Sequence, residues 1–67
     1  MTINDMKLAG IEIQGKVRIK RWDAAQDTYI TLLEVTEFEN LIVKHECFEM
    51  NISFIYTAHD MITIEVN

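Results

Sequence analysis

Apolar and polar side chains alternate with a period of two in three parts of the chain, and this pattern constrains the fold most strongly. The alternation runs through residues 11–20, 48–57 and 62–66. Residues 28–35 add an apolar and β-branched run. Successive side chains on a strand point to opposite faces, so a period of two is typical of half-buried strands. The sequence therefore predicts a mainly β protein.

The first two strands are expected to form an antiparallel hairpin closed by Ala24-Ala25-Gln26-Asp27. A four-residue loop pairs Asp23 with Thr28. On one face this register pairs Ile19 with Leu32 and Arg21 with Ile30; on the other it pairs Trp22 with Tyr29, Lys20 with Thr31 and Arg18 with Leu33. Gly15 interrupts the inward row of the first strand, where it indicates a bulge or a close backbone approach.

The second hairpin is expected to carry its apolar rows on one face. Because a shift of one residue inverts a strand, only a loop of odd length keeps both rows together. We therefore expect a three-residue loop, Ala58-His59-Asp60, which pairs Tyr56 with Ile62 and Phe54 with Ile64. The inward row of the third strand is predicted as Phe48, Met50, Ile52, Phe54 and Tyr56. Residues 36–46 are expected to connect the hairpins through a helical turn or a short strand.

A short helix is predicted at the N-terminus. Thr2 is suited to cap it, Asp5 lies in the first turn, and Gly10 is a stop signal. Ile3, Met6 and Leu8 would give the helix a partly apolar face. The predicted fold class is mainly β (small α+β), with two antiparallel hairpins in a four-stranded curled sheet and a short N-terminal helix.

The length of 67 residues predicts a single domain, residues 1–67. Chains this short usually gain stability from a disulfide, a metal or a partner subunit. Cys47 is the only cysteine, so no internal disulfide can form, and a lone thiol fits a reducing compartment. The sequence shows neither a signal peptide nor a run long enough to cross a bilayer. We therefore expect a cytoplasmic protein that forms a homodimer or higher oligomer and has no membrane partner.

Metal binding and catalysis are both weakly indicated by the sequence. His45, Cys47 and Glu49 would share one face of a strand, yet structural zinc sites use four ligands in paired motifs. A nucleophilic Cys47 would need His45 or His59 within hydrogen-bond reach and a third group to orient the base. No phosphate-binding loop or hydrolase motif is present. We expect no enzyme activity, no catalytic residues, no metal and no cofactor.

The outward face of the first hairpin combines cations with aromatic side chains. Its predicted binding residues are Lys16, Arg18, Lys20, Trp22, Tyr29 and Leu33. One interpretation is a solvated strand with a Trp filling the hairpin end. The other is an interface, because aromatic residues and Arg are enriched at interaction hot spots. A nucleotide-binding version would use the cations for phosphate and an aromatic ring for base stacking.

Charge is distributed unevenly along the chain, whose net charge is −5. Residues 1–33 hold five Lys or Arg against four acids, and residues 34–67 hold only Lys44 against seven acids, so the halves carry +1 and −6. The overall balance argues against an ordinary nucleic-acid binder. The asymmetry is typical of cross-strand pairing or of pairing between subunits. In the second case the basic row of the first strand, Lys16, Arg18 and Lys20, would face the acidic half of a partner chain.

The first half of the chain contains the segments Leu8-Ala9-Gly10-Ile11-Glu12-Ile13-Gln14-Gly15, Val17-x-Ile19, Trp22-Asp23 and Asp27-x-Tyr29. In these segments it resembles a group of very small uncharacterised accessory proteins encoded in prophages and mobile elements of Firmicutes-type bacteria. It covers residues 1–35 best. It implies a protein that acts stoichiometrically, by binding a host protein or by trapping a small signalling molecule of a defence system.

Three functional hypotheses follow. The first is a non-enzymatic binding module, an accessory protein of a phage or mobile element that binds and modulates or inhibits a host or defence protein. The second is a sponge that sequesters a nucleotide-type signalling molecule on the basic and aromatic face. The third is an acidic mimic of nucleic acid, based on residues 34–67.

Overall fold

The computed structural model describes residues 1–42 and 44–67. Its elements are helix α1 (Ile3–Leu8), strands β1 (Val17–Asp23), β2 (Thr28–Val35), β3 (Ile52–Ala58) and β4 (Met61–Val66), and two 3₁₀ turns, Phe38–Asn40 and Glu46–Glu49. The predicted mainly β fold with a four-stranded sheet and a short N-terminal helix is confirmed. Both 3₁₀ turns include residues of the predicted 36–46 connection, of which Val43 lies outside the described residues.

The two hairpins join into one sheet through β1, the first strand of the first hairpin, and β4, the last strand of the second. The strand order is β2-β1-β4-β3, so β1 and β4 are central and run parallel, while β2 and β3 form the two edges. Each hairpin remains antiparallel inside itself. The edge positions of β2 and β3 leave the sheet open.

One face of the sheet carries the hydrophobic core. Val17 and Ile19 of β1 and Ile64 and Val66 of β4 are buried there. The cover consists of Ile3 from α1 and of buried residues from the two 3₁₀ turns, Phe38, Cys47 and Phe48. This arrangement closes one face of the sheet with the helix and the connection between the hairpins.

Helix α1 begins as the sequence predicts. The Thr2 hydroxyl accepts a hydrogen bond from the Asp5 N–H, and the Asp5 carboxylate accepts one from the Thr2 N–H, which completes a capping box. Gly10 follows the helix with a φ of 80°, a conformation that favours glycine. The predicted apolar face is wrong at Leu8, which is 87% exposed in the last turn, because only Ile3 and Met6 of the helix are buried.

The first strand is shorter than the alternation predicts. It begins at Val17, and Ile11 and Ile13 lie outside it. Gly15 has a φ of 88° and directs its carbonyl to the N–H of Phe38, 2.9 Å away. The backbone therefore turns toward the first 3₁₀ turn at Gly15, and the sheet starts only beyond it.

The predicted register of the first hairpin is correct near its loop and wrong beyond it. The pairs from Asp23–Thr28 to Lys20–Thr31 are confirmed. A bulge between Ile19 and Lys20 then inserts Leu32, so Ile19 pairs with Leu33 rather than with Leu32. Arg18 consequently pairs with Glu34, not with Leu33. The extra residue moves Leu33 to the core face.

The predicted register of the second hairpin is wrong. The strand begins at Ile52, since residues 46–49 form a 3₁₀ turn, and the loop has only two residues, His59 and Asp60. Their φ angles, 54° and 61°, suit a tight hairpin turn. Ile55 therefore pairs with Ile64, and Tyr56 pairs with Thr63.

A bulge explains how this hairpin keeps apolar residues on the core face without an odd loop. The register shifts between Ile52 and Phe54, so Ser53 is the additional residue. Ile52 and Ile55 both share the face of β4 that carries Ile64 and Val66. Phe54, which the alternation places inside, faces outward and is 63% exposed.

Candidate binding face

The sheet face opposite the core, named here the open face, collects aromatic and charged side chains from all four strands. Strand residues that alternate with the core residues lie on it, because neighbouring side chains point to opposite faces. Its aromatic, charged and Thr members are Arg18, Lys20 and Trp22 of β1, Tyr29, Thr31 and Glu34 of β2, Phe54 and Tyr56 of β3, and Thr63 and Glu65 of β4. The buried residues of α1 and of the two 3₁₀ turns belong to the core on the opposite face.

Aromatic side chains give the open face most of its exposed apolar surface. Trp22 is 48% exposed and Tyr29 45%, and Tyr56 and Phe54 are exposed as well. The Trp22 and Tyr29 rings lie edge to face with their centroids 5.1 Å apart. Such a pair is held by ring electrostatics as well as by apolar contact, so the two rings support each other in a fixed orientation.

Lys20 lies between the aromatic residues of the two hairpins. Its Nζ atom is 4.3 Å from the Tyr29 ring centroid and 5.7 Å from the Tyr56 centroid. A hydrogen bond with Tyr56 raises the pKa of Lys20, with the nearby Glu65 charge adding to the effect. The ammonium group is therefore held in its charged form by its neighbours.

Glu65 accepts a hydrogen bond from one tyrosine and acts on the pKa of another. The Tyr56 hydroxyl donates to the Glu65 carboxylate. A hydrogen bond with the same carboxylate raises the pKa of Tyr29. Glu65 is also the parallel-strand neighbour of Lys20. The four side chains form one mixed cluster, in which Glu65 opposes the charge of Lys20.

Arg18, the second cation of the open face, is paired too. Its Nε atom donates to the Glu34 carboxylate over 3.0 Å. Between Arg18 and Tyr56 in the ladder lies Thr63, which is only 2% exposed although it faces away from the core. Two cations of the basic row predicted from the sequence are thus opposed by acids, Arg18 by Glu34 and Lys20 by Glu65.

The structure brings together four of the six predicted binding residues. Arg18, Lys20, Trp22 and Tyr29 lie on the open face. Lys16 is exposed but precedes β1, where its carbonyl accepts a hydrogen bond from the N–H of Ile62. The predicted outward placement of Leu33 is wrong, because the bulge turns its side chain toward the core, against which it packs.

Sequence reasoning missed Phe54, Tyr56 and Glu65. The sequence assigns Glu65 no binding role. It places Phe54 and Tyr56 inward through an assumed odd loop, and the two-residue loop of the structure reverses that placement. The His59-Asp60 dipeptide was the signal that could have corrected it. Asp tolerates a positive φ better than most residues, so a two-residue turn was available at this point.

His45 and Cys47 do not share the face of a strand, because they lie at the start of the second 3₁₀ turn. The His45 Nδ1 atom accepts a hydrogen bond from the Cys47 N–H over 3.1 Å at the start of the second 3₁₀ turn. Cys47 is fully buried, and burial raises the pKa of its thiol. Among the described residues, no three His, Cys, Asp or Glu side chains are grouped so that they could hold a metal ion.

Comparison with known proteins gives no match to a protein-family model, to a curated protein or to a solved structure. In the described part of the chain, no helix has the length and apolar character needed to cross a membrane.

Proposed function

We propose that this protein is a non-enzymatic binding module whose open face attaches to a partner protein. The observation that carries the proposal is the contrast between the two faces of one sheet. The core closes one face, whereas the other presents Trp22, Tyr29, Phe54 and Tyr56 around Lys20. Tyr, Trp and a central cation are the composition of interaction hot spots.

The balanced charge of the open face favours a protein as the partner. Arg18 is paired with Glu34, and Glu65 opposes Lys20. A surface that binds phosphate needs unpaired cations, while a protein interface combines aromatic anchors with locally satisfied charges. The strands and the Trp22–Tyr29 contact also hold the rings in place, which reduces the ordering cost of binding.

The resemblance of residues 1–35 to accessory proteins of prophages supplies the class of partner. We propose that the protein is such an accessory protein, present in the cytoplasm of a bacterial host, and that it modulates or inhibits a host or defence protein. The class of partner and the use of the open face are independent proposals, since binding by the open face can be tested with any bacterial lysate that contains the partner.

Capture with matched variants tests the proposal. The immobilised chain is incubated with lysate of a Firmicute host, and bound proteins are quantified by mass spectrometry. We expect one protein to be retained by the wild type and to fall at least about tenfold with Trp22→Ala combined with Tyr29→Ala, because anchor truncation typically costs more than 1 kcal/mol. Leu8→Ala is the control, since Leu8 is exposed outside the open face.

One result of the capture experiment would contradict the proposal. Proteins captured to the same extent by the wild type and by the Trp22→Ala, Tyr29→Ala variant would contradict binding through the open face. The circular dichroism spectrum of each variant checks that the fold is retained, so a loss of capture reports on the surface.

Sequestration of a nucleotide is the alternative that one observation favours. Trp22 and Tyr29 are half exposed beside Lys20, and nucleotides stack on such rings. Trp22 is the only tryptophan, so its fluorescence reports on this face directly. Titration with a cyclic dinucleotide and with ATP is expected to leave the emission unchanged. Saturable quenching at micromolar nucleotide would replace the protein-binding proposal with the sponge.

A nucleic-acid mimic is the least favoured function. Most acids of residues 34–67 accept local hydrogen bonds, among them Glu34, Glu37, Glu39, Glu49 and Glu65. A mimic of a phosphate backbone would present its carboxylates to a basic partner, which these contacts oppose.

A further inference from the structure

The outer edge of β3 is uncovered along most of its length. At its start, the Ile52 N–H donates to the Met1 carbonyl over 2.8 Å, and Thr2 bridges to Asn51. Beyond that point no strand within residues 1–42 and 44–67 pairs with this edge. Residues 52–58 contain no charged side chain, no Pro and no Gly, although the chain has a net charge of −5.

The hairpin geometry shows which backbone groups point outward from this edge. In a hairpin with a two-residue loop, the residues flanking the loop form a hydrogen-bonded pair, here Ala58 and Met61. The ladder alternates from there, so Thr57 and Ile55 direct their N–H and C=O groups away from β4. Ile52 does the same beyond the bulge, in agreement with its bond to Met1.

We propose that two copies of the chain pair along β3, antiparallel and about a two-fold axis through Tyr56. In this register Ile55 of each copy lies opposite Thr57 of the other, and each such pair exchanges both of its hydrogen bonds. Every outward backbone group of residues 55–57 is then satisfied. Tyr56 faces its own symmetry mate as a non-hydrogen-bonded pair, with side chains close together.

A second copy is the occupant that this edge fits best. Natural edge strands are usually protected by Lys, Pro, a bulge or a covering loop. β3 has its bulge only at Ser53, and it exposes Ile55 on one face and Phe54 and Tyr56 on the other. The opposite edge of the sheet differs, because β2 carries Glu34 and its own bulge at Leu32.

Pairing along β3 removes exposed apolar surface from both faces at once. Ile55 is 50% exposed and Phe54 63% in the single chain. The pairing places both side chains beside β3 of the other copy. Because β3 carries no charged residue, the two strands do not repel each other although each chain has a net charge of −5. A two-fold interface of this type closes on itself and leads to a dimer rather than a filament.

The dimer also joins the open faces of the two copies into one continuous sheet surface. Trp22 and Tyr29 remain at the far side of each copy, because they lie on β1 and β2. The interface therefore shares Phe54 and Tyr56 with the open face but leaves Trp22 and Tyr29, whose substitution tests partner binding, outside the dimer contact. The two proposals are tested by different residues, so the failure of one is distinguishable from the failure of the other.

Cysteine cross-linking tests the register directly. In a Cys47→Ala background, Tyr56→Cys places two thiols opposite each other at the axis, within the Cα separation that a disulfide accepts. We expect nearly complete cross-linking under mild oxidation. Phe54→Cys is the control, because its opposite residue in the dimer is Ala58, and we expect at least tenfold slower cross-linking.

Charge exchange at the same position tests the dimer in solution. Light scattering is expected to give twice the chain mass for the wild type and the single mass for Tyr56→Lys and for Tyr56→Glu, since like charges face each other. An equimolar mixture of these two variants is expected to recover the double mass. A wild-type chain that stays monomeric at hundreds of micromolar, or equal cross-linking at positions 54 and 56, would overturn the proposal.

Discussion

Trp22 and Tyr29 face each other across the first hairpin, with their ring centroids 5.1 Å apart in an edge-to-face arrangement. The pair lies next to the hairpin loop, where the register follows the sequence prediction. It therefore connects the best-predicted part of the fold with the face proposed to bind a partner.

The aromatic pair is expected to stabilise the hairpin as well as to shape the open face. In a double-mutant cycle with Trp22→Ala and Tyr29→Ala, we predict a coupling free energy of about 0.5–1.5 kcal/mol, the range for edge-to-face rings. Urea unfolding of the four proteins provides the measurement. A coupling of zero would show that the rings do not contact each other in solution.

The register of the second hairpin predicts opposite effects for two large apolar residues. Phe54→Ala is expected to change the free energy of unfolding by less than about 1 kcal/mol, because the side chain is 63% exposed. Ile64→Ala is expected to cost about 2–5 kcal/mol, because Ile64 is fully buried.

Denaturant unfolding separates this register from the one that alternation alone predicts. With a three-residue loop Phe54 would oppose Ile64 inside the core, and the two substitutions would cost similar amounts. Ile64→Val, which removes a single methylene group, is the milder core variant if Ile64→Ala prevents folding.

The sequence predicted the elements of this fold better than their registers. Alternation identifies strands, and Thr2 and Gly10 define the N-terminal helix, because these signals are local. A bulge depends on packing across strands, so the local sequence does not identify Ser53 and Leu32 as the additional residues. Since one residue of shift inverts a strand, the two-residue loop places Phe54 and Tyr56 on the open face, and the bulge at Leu32 moves Leu33 off it.

Glu39 is expected to contribute to stability in a pH-dependent manner. Its carboxylate accepts a hydrogen bond from the Gly15 N–H over 2.8 Å, and this bond lowers the pKa of Glu39. A lowered folded-state pKa stabilises the fold above the unfolded-state pKa, and the contribution disappears as pH falls through the folded value. The loss is therefore expected below about pH 4.

Unfolding midpoints in urea at pH 7 and at pH 3 measure this contribution. Glu39→Gln is expected to be less stable than the wild type at pH 7, with a smaller difference at pH 3. Glu12→Gln is the control, since the described residues offer its carboxylate no hydrogen-bond donor. A Glu39→Gln difference that does not change with pH would argue against the bond to Gly15.

A substitution to glycine in the loop of the second hairpin is expected to stabilise the fold. Asp60 has a φ of 61°, which costs a residue with a Cβ atom about 1 kcal/mol. Asp60→Gly is therefore predicted to raise the melting temperature by several degrees. Ala24→Gly, at a loop residue without a positive φ, is expected to lower it. A decrease for Asp60→Gly would contradict the two-residue turn.

The most direct test of the open face as a binding surface uses the single tryptophan of the chain. Labelling with 5-fluorotryptophan gives one ¹⁹F resonance, from Trp22, which can be followed while the captured partner protein is added. Binding through the open face predicts that this resonance shifts or broadens in proportion to complex formation, and that Tyr29→Ala weakens the complex at least about tenfold. A complex that forms with the Trp22 resonance unchanged would contradict binding through the open face.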